Sequence, residues 1–173
     1  MWWMALGCVV RVDEWGHGAP EVPAVGESRL GHRSVYGYEL ATLSIEYGRV
    51  RDDEDVRNDW DLQFGMASDP TVDWFSVNMV TDDRSFLVDL GPVTDPAEVP
   101  LTLDPEDEEI EAYAAPDDLV VIEGHSYLVR TLDDDTTQWA LVEVLAYEFG
   151  QTADLRWCRS DNPELFVAPA GCF

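Results

Sequence analysis

Apolar and polar residues alternate with a period of two through most of the chain beyond residue 35, the pattern of strands with one face on a core. Between Val35 and Val50, Leu43, Ile45 and Tyr47 share one face and Thr42, Ser44 and Glu46 the other. A solvated turn, Arg51-Asp52-Asp53-Glu54-Asp55, precedes a short run over 59–64 that sends Trp60, Leu62 and Phe64 to one side. Residues 74–90 read as a hairpin. Phe75, Val77 and Met79 lead out, Thr81 to Ser85 turn, and Phe86, Val88 and Leu90 return. After a long break, three strands follow as a meander. The first, 119–131, is interrupted at Glu123-Gly124 and divides into two short strands. The second, 138–147, is apolar on both faces, with Ala140, Val142, Val144 and Ala146 opposite Trp139, Leu141, Leu145 and Tyr147. A strand of that kind is central and covered on two sides. The third, 152–158, turns Ala153, Leu155 and Trp157 inward.

No window sustains the 3.6-residue period of a helix. About eight short strands with regular turn signals predict an all-β fold, an antiparallel β-sandwich or flattened barrel. Gly and Pro punctuate residues 16–31, which predicts an arm or loop. The division is then an N-terminal strand and arm over 1–34 and a single all-β domain over 35–173. Within that domain, residues 92–118 are rich in Pro and acid and form one long acidic loop.

At 173 residues the chain is long enough for one real core. Asp and Glu number 36 against 10 basic residues, all of them Arg, for a formal net charge of -26. Such a surface repels phosphate backbones and anionic lipid, so direct nucleic-acid binding is excluded, while proteins and neutral small molecules remain as partners. No stretch approaches a membrane span. The start, MWWMALGCVVRV, lacks the basic flank of an export signal and reads as a buried strand, which favours a cytoplasmic location over export. Cys8, Cys158 and Cys172 are few and odd in number. A Cys158–Cys172 bridge would staple the C-terminal tail in an oxidising compartment, but three independent thiols are the preferred expectation.

Candidate chemistry is sparse. Asp133, Asp134 and Asp135 cluster at an expected hairpin tip, where three carboxylates within one turn suit calcium better than any other acidic run here, although solvated turn charge is the favoured account of them. Trp60-Asp61 and Asp73-Trp74 resemble sugar-stacking platforms beside carboxylates, yet a chain this acidic offers many such pairs. Trp74 shares the polar side of its strand with Ser76 and Asn78, an arrangement that suits a ligand surface or a sheet–sheet contact. His125, between two strands, joins these three as the candidate ligand-binding set. No GxSxG elbow or phosphate-binding glycine loop occurs.

Residues 76–91 (SVNMVTDDRSFLVDLG) and 123–144 (EGHSYLVRTLDDDTTQWALVEV) resemble an uncharacterised all-β family of bacterial proteins. The runs 59–64, 127–131 (YLVRT) and 139–142 (WALV) are also similar to secreted haem-binding β-domains of the HmuY type. That resemblance implies an all-β fold and haem held by paired histidines. His17, His32 and His125 do not fall in matching positions, so the fold is carried over and the haem ligands are not.

The resulting expectation is a non-enzymatic ligand- or protein-binding module, with the 92–118 loop and adjacent hairpin tips as its functional edge. Two alternatives belong to other classes: an acidic mimic of nucleic acid that inhibits a basic protein, and a small carbohydrate-active hydrolase. The mimic needs carboxylates spaced along one face. The hydrolase needs a cleft with two facing carboxylates.

Overall fold

The computed structural model describes residues 24–45, 49–50, 61–65, 71–77, 85–99, 114–115, 118–133 and 136–173. Among them, eleven strands form two antiparallel sheets stacked face to face. Sheet A has the order β1-β11-β10-β9-β6-β7, built from Val25–Gly31, Thr152–Ser160, Thr136–Glu148, Ser126–Asp133, Phe86–Asp89 and Ala114–Ala115. Sheet B has the order β3-β2-β4-β5-β8, built from Arg49–Val50, Thr42–Ser44, Leu62–Phe64, Trp74–Val77 and Asp118–Val120. The fold is the expected all-β sandwich, not closed into a barrel.

The main core lies between the sheets and follows the alternation of each strand. Sheet B contributes Leu43, Leu62, Phe64, Phe75 and Val77, and sheet A contributes Leu87, Tyr127, Val129, Ala140, Val142, Val144, Ala153, Leu155 and Trp157. Phe75 meets Phe64 and Tyr127 edge-on, with ring centroids 6.0 and 5.2 Å away, the geometry that aromatic quadrupoles favour. Trp157 packs across Gly26 of the paired strand, where an added Cβ would lie 2.4 Å from the indole. Glycine is required there to let the ring in.

Strand β10 is central, as its two apolar faces predict. Trp139 and Leu141 turn outward to a second cluster with Phe86, Val88, Leu128, Cys158, Val99 and Phe166. The register shifts between Val144 and Ala146, so the strand gains one residue at Leu145. This bulge reverses the alternation. Tyr147 rather than Ala146 therefore returns to the core side, and Leu145 is 41% exposed.

Several expectations are corrected. Residues 74–90 are not a hairpin: β5 lies in sheet B and β6 in sheet A, so the chain changes sheets between them. Both strands are apolar on the face turned to the core, and that pattern satisfies either pairing. Residues 25–31 are not loop but β1, seven residues paired along β11. Residues 33–40 are not strand but a short helix, α1 (Arg33–Leu40), broken at Gly37, where φ is 81°. Thr42 and Ser44, expected on a solvated face, are both 1% exposed. The 92–118 segment is not one structureless loop, since it holds a 3-10 turn at Pro96–Glu98, started by Asp95 accepting the Ala97 N–H, and then β7. Residues 100–113 lie outside the described residues.

The cysteine expectation is also overturned, because Cys158 and Cys172 form a disulfide with their Cα atoms 5.5 Å apart. The reason is packing. Phe166, Ala168, Cys172 and Phe173 lie against the outer face of sheet A, and this brings the tail thiol over β11. Trp139 Nε1 donates to Pro163 O, and Ser160 Oγ accepts the Val167 N–H, so the tail is also pinned by hydrogen bonds. Reduction, or Cys172→Ser, is expected to lower stability by roughly 2–4 kcal/mol for a loop of this size. Urea denaturation with and without reductant measures this, and unchanged midpoints would show that packing alone holds the tail.

Candidate functional site

Asp73 immediately precedes β5, and its side chain is only 3% exposed. A buried carboxylate must be answered by donors, and here they come from the opposite sheet. Its Oδ2 accepts the Tyr147 hydroxyl at 2.9 Å and the Gly150 N–H at 2.6 Å. Its Oδ1 lies 3.2 Å from His32 Nε2. The donors therefore sit on β10, on the β10–β11 turn and just after β1.

His32 is fixed from several sides. Its N–H donates to Gln151 O at 2.7 Å, and its ring meets Phe64 edge-on at 5.4 Å. Gly65, at φ 88°, passes so close that an added Cβ would lie 2.6 Å from the ring. Nδ1 accepts the Ser34 N–H at 3.2 Å, so the ring proton belongs on Nε2, facing Asp73. Ser34 Oγ lies 2.7 Å from the same Nδ1. A serine hydroxyl, an imidazole and a buried carboxylate thus stand in line.

The second feature is the outer face of sheet B. Register places Thr42, Gln63 and Ser76 side by side across β2, β4 and β5, and Trp74 stands on the same face of β5. Alternation dictates this, because their neighbours Leu43, Leu62, Phe64, Phe75 and Val77 all point to the core. Gln63 is 1% exposed and its Oε1 accepts from Arg33 Nη1 at 3.1 Å. Gln63 Nε2 and Trp74 Nε1 are buried donors with no acceptor among the described residues. Buried donors in that state are few in native proteins, and each calls for an explanation.

Of the sequence-predicted ligand residues, Trp74 and Ser76 share this face, as expected. Asn78 lies outside the described residues. His125 is elsewhere: its Nδ1 sits 3.0 Å from both oxygens of Asp89 at the end of β6, and Asp89 also accepts the Gly91 N–H. Asp133 closes β9, while Asp134 and Asp135, the remaining calcium candidates, lie outside the described residues, as does Trp60. Among the described residues, no group of three or more His, Cys, Asp or Glu is placed to hold a metal. No described helix is long and apolar enough to cross a membrane.

The carboxylates of the suggested sugar platforms are used internally. Asp73 is engaged as above, and Asp61, 5% exposed, accepts the Ile45 N–H at 2.6 Å and the Thr131 hydroxyl of β9. Sequence reasoning missed Gln63 and His32. The polar position between Leu62 and Phe64 marked Gln63, but nothing local announced the partners of His32. No protein-family model matches the chain, and no curated protein or solved structure matches it.

Two phenols report on these contacts. Burial, with Asp73 as hydrogen-bond partner, pushes the Tyr147 hydroxyl well above its ordinary 10.0. Burial does the same for Tyr127, aided by the charge of Asp89. Tyr127 also ties the sheets, donating to Val120 O at 2.7 Å and accepting the Ile122 N–H at 2.9 Å. Both folded values are raised, so their stabilisation is complete below pH 10 and is lost as pH climbs above it. Alkaline titration is expected to show two phenols ionising only as the protein unfolds. Ionisation of every tyrosine near pH 10 with the fold intact would contradict these contacts.

Proposed function

We propose that this protein is a ligand-binding β-module whose ligand lies on the outer face of sheet B and is neutral and rich in oxygen acceptors, of the polyol or saccharide class. The observation that carries the reading is a pair of buried donors with no acceptor among the described residues, Gln63 Nε2 and Trp74 Nε1, on one sheet face. Both need an acceptor, and leaving a buried donor unmade costs about 1–3 kcal/mol. Ligand oxygens would supply that acceptor, reached beside Trp74, the part-exposed member of an otherwise buried set of Thr42, Gln63 and Ser76.

Charge supports neutrality. A net charge of -26 disfavours phosphorylated or carboxylated ligands. The Cys158–Cys172 bridge favours an oxidising compartment and weighs against the cytoplasmic expectation.

A panel of neutral mono- and disaccharides, titrated by calorimetry and tryptophan fluorescence, tests the reading. Saturable binding is expected for at least one member. Trp74→Phe keeps an aromatic ring and removes the N–H, and Gln63→Leu removes the amide; each is expected to weaken binding about tenfold or more, for the loss of one hydrogen bond to a buried donor. Ligand-free Trp74→Phe is expected to be at least as stable as the parent, because it removes a donor that no described acceptor answers, whereas Gln63→Leu also removes the oxygen that accepts from Arg33 Nη1 and is expected to gain less. Binding unaffected by both changes, or absent across the panel, would remove the proposal.

A further inference from the structure

We propose that Ser34 is an activated nucleophile, with His32 as its general base and Asp73 as the residue that positions the base, and that it accepts uncharged acyl groups from esters. The inference is independent of the ligand on sheet B, and either can fail without the other.

Three observations carry it. The nucleophile and base are in hydrogen-bond reach, Ser34 Oγ lying 2.7 Å from His32 Nδ1. The base is oriented by a carboxylate, with His32 Nε2 3.2 Å from Asp73 Oδ1. That carboxylate is itself held, by the Tyr147 hydroxyl and the Gly150 N–H on its other oxygen. These are the relations that activate a serine: a hydroxyl facing an imidazole lone pair, and behind the ring a buried acceptor that stabilises the imidazolium as it forms. The ring nitrogens are used in the reverse sense of the familiar serine proteases, Nδ1 toward the hydroxyl and Nε2 toward the acid. Either nitrogen serves as a base when the other carries the proton.

Accessibility fits as well. Ser34 is exposed, whereas the His32 and Asp73 side chains are 9% and 3% exposed. Ser34 thus meets solvent while the groups that drive it are sheltered. Capping of α1 explains only part of the arrangement. A cap requires the Ser34 N–H and the Nδ1 lone pair, and it requires neither a hydroxyl on Ser34 nor a buried carboxylate behind the imidazole.

The substrate class follows from the surroundings. Val35, Tyr36 and Phe149 are 53%, 44% and 54% exposed. The first two follow Ser34 directly, and Phe149 precedes the glycine that holds Asp73. Exposed apolar side chains next in sequence to Ser34 and to the glycine that anchors Asp73, on a strongly acidic protein, suit a short uncharged acyl chain. In the step proposed, the Ser34 Oγ–carbon bond forms at the ester carbonyl while the Oγ proton passes to Nδ1. The carbon–oxygen bond to the leaving group then breaks, and that alcohol takes the proton from Nδ1. Water cleaves the acyl-serine by the same route in reverse.

The test uses the full chain and two probes. With an alkyl fluorophosphonate, the Oγ–phosphorus bond forms as phosphorus–fluorine breaks and fluoride leaves, which gives a stable adduct. Intact mass and peptide mapping are expected to find one adduct per chain, at Ser34, absent in Ser34→Ala. Release of nitrophenol from p-nitrophenyl butyrate is expected to fall ~10²-fold in the same variant, the usual worth of a positioned base acting on its nucleophile. Ser34→Cys in a Cys8→Ser background provides an independent readout. Paired with His32, the introduced thiol is expected to react with iodoacetamide readily at pH 6, where a solvated thiol is almost wholly protonated. Labelling spread over several serines, ester cleavage unchanged in Ser34→Ala, or a Ser34→Cys thiol that alkylates no faster than a free thiol at pH 6 would each overturn the proposal.

Discussion

A carboxylate can leave water only if the protein answers it with donors, and this protein makes that constraint structural at two places. Asp73 and Asp61 both belong to sheet B segments, and both take donors from the sheet A side: Tyr147, Gly150 and His32 for the first, Thr131 for the second. The apolar core between the sheets supplies most of the stabilisation, but the non-directional burial of apolar surface by itself leaves orientation loosely set. Hydrogen bonds to a fixed carboxylate do not. Removing the partners of a buried charge costs about 3–5 kcal/mol, a large fraction of the roughly 5–15 kcal/mol by which a domain is stable. The two aspartates therefore set how one sheet lies over the other.

That same constraint positions the candidate sites. Asp73 is followed by Trp74, so anchoring the carboxylate also fixes where the indole stands on the outer face of sheet B. His32 is followed by Arg33, whose guanidinium reaches Gln63 on the same face, and then by Ser34 on Nδ1. The donors without a described acceptor and the Ser34–His32 contact are thus neighbours of one buried acid. The remaining charge behaves differently. Pairs such as Arg29–Asp154 and Arg156–Glu143 lie toward solvent, where ion pairs contribute little.

Much of the fold is legible in the period of the sequence. The β9–β10–β11 meander, the two-faced apolar character of β10 and the inward set Ala153, Leu155 and Trp157 all follow from local alternation. What alternation cannot encode is the partner. Phe75 and Phe86 belong to strands of similar pattern, and only the global packing assigns them to different sheets. β1 is hidden because Gly26, needed to admit Trp157, reads locally as a loop residue. Leu145 hides a bulge, which shows in sequence only as one residue too many. Trp74 and Ser76 are placed correctly on a shared polar face because parity alone decides that. Asp61 and Asp73 read as surface chemistry because a buried aspartate and an exposed one are spelled alike, and their donors Thr131 and Tyr147 lie 70 and 74 residues away in the chain.

The central claim, that buried aspartates lock the sheets together, is tested most directly by native-state amide hydrogen exchange. Gly150 and Ile45 donate their N–H groups to Asp73 and Asp61, and Gly150 lies in a turn, where amides ordinarily exchange fast. The account predicts that both exchange only through global unfolding, with opening free energies equal to that of the β10 core amides. Exchange of either amide by local fluctuation, at rates typical of turns, would contradict it.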